Sequence, residues 1–286
     1  MLIDTHGHVN FNAFKDDAHE VLKRALDSDI WVVMPGTQYS TSKRACEMAG
    51  RYKEGVYAAV GLHPIHLGEK RRVDVQEVQS QEGEVEPWMT FETRSEEFEY
   101  EKYKQLAQSE KVVAIGEVGL DYYYESKNKT KREEAREKQR HALREQMKLA
   151  QELNLPVIFH CRKAHDDLFA LIDGWNGRGV VHCYTGTAEQ AQRFIAKGLY
   201  IGFNGLILKQ VPALPSPDEV VSSIPLERIV LETDSPYLAP PQAKEERNEP
   251  LNVQYVAEEI ARIKHITLEE VARVTTQNAK TLFTLG

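Results

Sequence analysis

Residues 1–8 read Met-Leu-Ile-Asp-Thr-His-Gly-His. Leu2 and Ile3 open an apolar run, and His6 and His8 follow two residues apart. Successive side chains of an extended strand point to opposite faces, so these two imidazoles leave the strand end on one side, about 7 Å apart if fully extended. At that spacing they can bind one metal ion. They could equally be an exposed pair near a chain end. The choice depends on whether the rest of the chain brings more ligands to the same place.

Short apolar runs rich in β-formers recur after this one, at 30–34, 56–60, 112–115, 157–159, 180–181, 199–203 and 229–231. Between them lie segments of helical period at 16–26, 133–153, 188–196, 253–263 and 268–282. Leu143, Met147 and Ala150 follow the i, i+4, i+7 spacing of one buried helix face. Thr267 with Glu270 three residues on predicts a capping box for the last helix. Eight strands alternating with helices are the count of a (β/α)8 TIM barrel, an α/β fold. Runs that are continuously apolar suit parallel strands covered on both faces. A doubly wound open sheet is the competing architecture, but no Gly-x-Gly-x-x-Gly follows the first strand.

Composition agrees with this. The 286 residues, 41% hydrophobic and 28% charged, hold enough apolar material for one large core, and α/β barrels of this length are commonly one domain. We therefore expect a single barrel domain over 1–286. No run approaches the ~20 apolar residues of a membrane span, and no secretory signal is evident. Three cysteines suit a reducing compartment rather than a disulfide framework, so the expected location is cytoplasmic. A net charge of −8 argues against broad nonspecific nucleic-acid binding and leaves room for a local basic site.

One stretch breaks the rhythm. Residues 69–104 carry 11 acidic and 6 basic side chains, with Trp88, Phe91, Phe98, Tyr100 and Tyr103 interleaved. Up to about residue 87 it reads as loop, with a helix over 95–103. It is either a solvated insertion after strand three or a lid or partner surface.

The strand ends carry the chemistry. His6 and His8 follow strand one, His63 strand three, and Glu117 to Asp121 strand four. Strand five ends in His160-Cys161-Arg162, strand six in His182-Cys183, and strand eight in Glu232-Thr233-Asp234. In a barrel these ends form one rim, where active sites are built. A lone strand-end histidine or carboxylate is usually structural. His6, His8, Glu117, His160, His182 and Asp234 together exceed what one ion with an open position needs, which suggests two metals bridged by a carboxylate. Cys161 and Cys183, one residue past proposed ligands, should face the surrounding helices as small core residues. Cys46 is expected to be structural, and His66 a surface residue.

The ordered series Asp4-Thr-His6-Gly-His8, Gly-Leu-His63-Pro, Gly-Glu117-Val-Gly-Leu-Asp121-Tyr, His160-Cys-Arg162, His182-Cys-Tyr-Thr-Gly, Glu232-Thr-Asp234-Ser-Pro and Arg247-Asn248-Glu249-Pro250 resembles the motifs of the TatD family of metal-dependent hydrolases, in the amidohydrolase superfamily. The resemblance covers nearly the whole chain. It implies a TIM barrel and deoxyribonuclease activity, typically exonucleolytic and dependent on divalent metal. Carried over by position, it gives His6, His8, Glu117 and Asp234 to one metal, and Glu117, His160 and His182 to the other. The stretch between His63 and Glu117 is longer than the family commonly shows.

The expected cofactors are two divalent ions, Mg²⁺, Mn²⁺ or Zn²⁺, that lower the pKa of a shared water. Asp234 is the candidate to accept its proton, or is a ligand only. Arg162 offers a planar fork for phosphate, unless it pairs with Asp121 or Glu232. His63 is expected to bind phosphate, protonate the leaving oxygen, or steady a ligand, while Asp4 and Glu232 are expected to accept histidine N–H groups. The expected substrate is DNA, as single strands or ends. Tyr122 to Tyr124 followed by Lys127, Lys129, Lys131, Arg132, Arg136 and Lys138 would form a groove for it, or simply a solvated helix start. The competing functions are a small-molecule amidohydrolase or esterase, and a metal-binding barrel that only makes interactions.

Overall fold

The computed structural model describes residues 1–68, 72–74, 90–243, 245 and 247–286, with main chain alone at 72–74 and 91. In chain order the strands are β1 (Leu2–Asp4), β2 (Ile30–Pro35), β3 (Val56–Val60), β4 (Arg72–Asp74), β5 (Thr90–Glu92), β6 (Val112–Asp121), β7 (Val157–Arg162), β8 (Gly179–Val181), β9 (Tyr200–Phe203) and β10 (Ile229–Leu231). Eight of them make one sheet in the order β1-β2-β3-β6-β7-β8-β9-β10, all neighbours parallel. The sheet closes just past the ends of β1 and β10. Thr5 N donates to Leu231 O at 2.9 Å, Asp234 N to His6 O at 2.8 Å, and His8 N to Ser235 O at 2.7 Å. This is a (β/α)8 TIM barrel, and its closing seam sets His6 and His8 beside Asp234.

Both strand faces are buried, as the continuous apolar runs predict. Ile3, Val33, Ala59, Ile158, Val180 and Val230 fill the barrel interior with Leu282 and Phe283 of the last helix beneath them. Val32, Met34, Val60, Val157 and Phe159 point outward into the layer beneath the helices. The helices are α1 (Ala18–Asp27), α2 (Tyr39–Ala49), α3 (Tyr100–Ala107), α4 (Lys129–Glu152), α5 (His165–Leu171), α6 (Ala188–Ala196), α7 (Pro217–Ser223), α8 (Val253–Lys264) and α9 (Leu268–Phe283). Leu143, Met147 and Ala150 of α4 are buried as their spacing predicts. Thr267 forms one half of the predicted capping box, its hydroxyl accepting from Glu270 N at 3.2 Å.

The expectations differ from the structure in the 69–104 stretch and at two residues. Most of 69–87, like Trp88 and the Phe91 side chain, lies outside the described residues. Within it a strand stands where loop was expected, with β4 pairing antiparallel to β5. The helix expected over 95–103 starts five residues later, because Glu96 is drawn to α2. Its Oε1 accepts from Tyr39 N at 3.1 Å and Tyr103 Oη at 2.6 Å. His66 is buried, not on the surface, since this strap folds over it and Glu96 N donates to His66 O at 2.9 Å. Cys183 does not face the helices. A left-handed backbone at φ +44° turns it toward the barrel mouth beside Glu232 and Asn204. Cys161 does pack in the barrel–helix layer.

Candidate metal centre

Alternation along a regular β6 would turn Glu117 outward with Ile115, which packs in the barrel–helix layer. The β6–β7 register instead shifts between Ile115 and Val118, and such a bulge re-aims a side chain. The strand was expected to end at Ile115 but runs on to Asp121, so Glu117 projects into the mouth from within the sheet. Close strand approach requires Gly119, where a Cβ would lie 1.9 Å from His160 O. Gly202 likewise leaves room for the Glu232 carboxylate, whose Oε2 would lie 2.4 Å from a Cβ.

Glu117 is the hub. Its Oε1 lies 2.7 Å from His160 Nδ1, 2.8 Å from His182 Nε2 and 3.2 Å from His63 Nε2. Its Oε2 lies 3.4 Å from His6 Nε2 and 3.6 Å from His8 Nε2. Asp234 Oδ1 completes the second set, 3.7 Å from His6 Nε2 and 3.4 Å from His8 Nε2. The six residues expected as metal ligands are therefore brought together, with the four histidines around the two oxygens of Glu117 and Asp234 reached through His6 and His8. His63 joins the Oε1 set.

The surroundings orient these rings. His8 Nδ1 faces Pro35 O at 3.1 Å, so it carries the ring proton and leaves Nε2 free to coordinate. His63 Nδ1 accepts from Ile65 N at 3.1 Å, which places the proton of the neutral ring on Nε2, toward Glu117. Glu232 Oε1 lies 3.7 Å from His182 Nδ1, too far for the expected hydrogen bond, and instead accepts from the Cys183 main-chain N–H and from Asn204 Nδ2 at 3.3 Å. Asp4 does not serve a histidine ring. It accepts from His6 N at 3.1 Å, Thr233 N at 2.9 Å and Thr233 Oγ1 at 2.6 Å, tying the ends of β1 and β10 together. The carboxylate facing His160 Nε2 is Asp121, at 3.5 Å. It was missed, although it stands four residues past Glu117 on the same strand. Gln146, also missed, donates to Leu62 O at 3.1 Å and accepts from Leu62 N at 2.8 Å, holding the loop that carries His63.

Burial opposes every charge in this mouth. Together with the neighbouring His182 it holds His6 below the usual imidazole range, and it depresses His63 likewise. Burial disfavours ionised Glu117 too, but the His63 and His182 imidazoles outweigh it and hold the carboxyl well below its usual range. Against the same burial, Glu117 and Glu232 raise His182, and Asp121 and Glu117 raise His160. Asp234 is lowered despite burial by the His8 and His6 rings, whose Nε2 atoms lie 3.4 and 3.7 Å from its Oδ1.

Burial pushes Asp4 up from 3.8 to about 7, against its three donors. An acid kept neutral to higher pH in the fold than in the unfolded chain contributes stability below 3.8 and loses it as pH rises through about 7. At about 1.4 kcal/mol per pH unit the loss is on the order of 4 kcal/mol. Urea unfolding of the metal-free protein and of Asp4→Asn should therefore differ by an amount that drifts against the wild type between about pH 4 and 7. A pH-independent difference would contradict it.

Above the centre opens a cleft of about 1980 Å³, lined by Glu117, His63, Asp121, Asp234, Tyr123, Tyr124, Arg162 and Lys163 among others. Arg162 pairs with neither Asp121 nor Glu232. Its guanidinium lies 3.5 Å over the Tyr123 ring, and Lys163 Nζ lies 4.7 Å from the same ring. Among the described residues, none of Lys127, Lys129, Lys131, Arg132, Arg136 and Lys138 lines this cleft. Arg136 is bound to Glu125 and stacked on Tyr122. The basic groove expected there is replaced by Arg162 and Lys163, which β7 carries to the rim.

A parallel barrel with clustered histidines and carboxylates at its C-terminal mouth defines the metal-dependent hydrolase class. The family described as TatD related DNase matches residues 3–284, and the chain belongs to it. It is 37% identical over 290 residues to the uncharacterized metal-dependent hydrolase YabD of Bacillus subtilis, covering all of both chains. It is 32% identical over 293 residues to the 3'-5' ssDNA/RNA exonuclease TatD of Pantoea vagans, again covering all of both. The crystal structure of YjjV, a TatD homologue from Escherichia coli, superposes with a TM-score of 0.78 at 29% identity, covering 100% of this chain and 98% of that one. The protein is thus a metal-dependent hydrolase acting on ester bonds. No helix among the described residues is long and apolar enough to cross a membrane.

Proposed function

We propose that this chain is a two-metal phosphodiesterase that trims single-stranded DNA from its ends, working as one cytoplasmic barrel domain. The observation that carries the reading is the division of Glu117, with Oε1 facing His160 and His182 and Oε2 facing His6, His8 and, through them, Asp234. A carboxylate between two donor sets is the arrangement a bridging ligand requires. The donor set fits divalent ions in a further respect. Against the cost of burial, Glu117 raises both His160 and His182 above the usual imidazole range, so the pocket favours positive charge beside this carboxylate, which is what ions would bring.

In this reading His6, His8, Glu117 and Asp234 hold one ion, and Glu117, His160 and His182 the other. Divalent ions there, Mg²⁺, Mn²⁺ or Zn²⁺, ease deprotonation of water and offset phosphate charge. Asp234, ionised at neutral pH, takes the proton from the attacking water. His63, whose Nε2 proton faces Glu117 Oε1 at 3.2 Å, stands where a phosphate or leaving oxygen brought beside that carboxylate would meet it. Arg162, held flat on Tyr123, turns its fork of donors to a phosphate. Tyr123 and Tyr124 offer ring faces to bases, which every base can use irrespective of sequence. The 3'-to-5' direction is taken from the Pantoea relative's description.

The test is an incubation with single-stranded DNA labelled at either end and each of the three ions, beside a panel of esters and amides. Stepwise shortening from the 3' end is expected. No shortening with any ion, together with an amide or ester activity that Asp234→Ala abolishes, would sink the nuclease reading.

A further inference from the structure

The segment Thr90 to Glu96 lies in the stretch between His63 and Glu117 and lines the cleft through Thr90, Glu92, Arg94 and Ser95. It is pinned at several points. Arg94 O accepts from Gln38 Nε2 at 3.1 Å, and Glu96 Oε2 accepts from the same amide at 3.3 Å. Glu96 Oε1 takes the Tyr39 main-chain N–H and the Tyr103 hydroxyl, and the His66 ring meets the Arg94 backbone. His66 stands 6.5 Å, ring to ring, from His63, which touches Glu117. The strap is therefore a fixed wall one residue behind His63.

Its one cation, Arg94, is exposed at the cleft. Among the described residues no carboxylate pairs with its guanidinium, although Glu92, Glu96 and Glu97 are close in sequence. Glu96 cannot turn to it while held by Tyr39 and Tyr103. In the barrel β6 lies between β3 and β7. The Arg94 main chain is tied to Gln38, beyond β2, and to His66, beyond β3, while Arg162 and Lys163 sit at the β7 end. The cations thus stand on opposite sides of the strand that carries Glu117.

We propose that Arg94 binds a second phosphate of the substrate, on the side of the centre opposite Arg162, so that the cleft selects a polynucleotide over a single phosphate ester. The proposal rests on the nuclease reading above and deepens it. A guanidinium carried on a pinned main chain starts close to the cleft and forms charge-assisted bonds to phosphate oxygens. Removing one phosphate contact to a single strand also lowers the slope of log affinity against log salt by about 0.7.

Arg94→Ala, Arg94→Lys and the charge-matched control Arg144→Ala should be compared with the wild type. The probes are a labelled single strand of about twelve nucleotides and bis(p-nitrophenyl) phosphate, each over about 50 to 200 mM salt. For Arg94→Ala we expect KM for the oligonucleotide to rise about tenfold, the value of one charged hydrogen bond, and its salt slope to fall by about 0.7. The loss should be confined to the oligonucleotide. Arg94→Lys should recover the slope, and Arg144→Ala should not change it. An unchanged KM and slope would overturn the proposal. So would an equal loss on the small ester, which would mean that Arg94 acts through His66 and His63 instead. If the wild type cleaves no DNA, the nuclease reading fails, and anisotropy of the labelled strand with the metal chelated still decides whether Arg94 binds it.

Discussion

Replacing Glu117 with alanine is expected to lower kcat/KM by at least about a thousandfold, or about 4 kcal/mol of transition-state stabilisation. Bound metal should fall from two ions to one or none. The reason is geometric. Oε1 and Oε2 each complete one donor set, so losing the carboxylate weakens both sites at once. Plasma emission spectrometry of the dialysed variant measures the stoichiometry, and circular dichroism checks that the barrel is intact. Two tightly held ions in Glu117→Ala would rule out the bridging role.

Asp234→Asn should lower kcat by about 10²- to 10⁴-fold, the range for removing a general base. Asparagine keeps the size of the side chain and one oxygen for contact with His6 and His8, but cannot accept a proton. Asp234 is suited to the task because, despite burial, the His8 and His6 rings beside it hold its carboxyl below the usual range. Metal titration separates the two roles open to it. If Asp234 is the base, saturating metal leaves kcat low. If it is only a ligand, raising the metal concentration restores the rate.

The parts of the site that could be read from the sequence are those fixed locally. A strand end marks the rim wherever it falls, so His6, His8, His63, His160, His182 and Asp234 were placed by counting strands. Glu117 was found for the same reason, although it lies within β6 and not after it, because the bulge brings it to the mouth all the same. Asp121 was missed because the nearest pattern, two residues from a ligand, pointed to Asp4 and Glu232. Asp4 instead bonds to Thr233, 229 positions away. The basic groove was misplaced because charge density along the chain does not say which way a helix start faces. Arg162 and Lys163 reach the cleft from a strand end, and the lysines near residue 130 are turned to solvent.

The sequence by itself determined a barrel with a ring of candidate metal ligands at its mouth. Periodicity and strand-end position depend only on neighbours a few residues apart, and eight repetitions of the pattern reinforce one another. Only the tertiary structure decided how the ring is divided and walled. Which oxygen of Glu117 faces which histidines depends on the β6–β7 register shift. The cleft wall depends on Glu96 reaching Tyr39, 57 positions earlier, and the His63 loop depends on Gln146 holding Leu62, 84 positions away. These are single polar contacts between distant residues. They leave no period in the sequence, because a buried glutamine or glutamate is stable only where the fold supplies its partner.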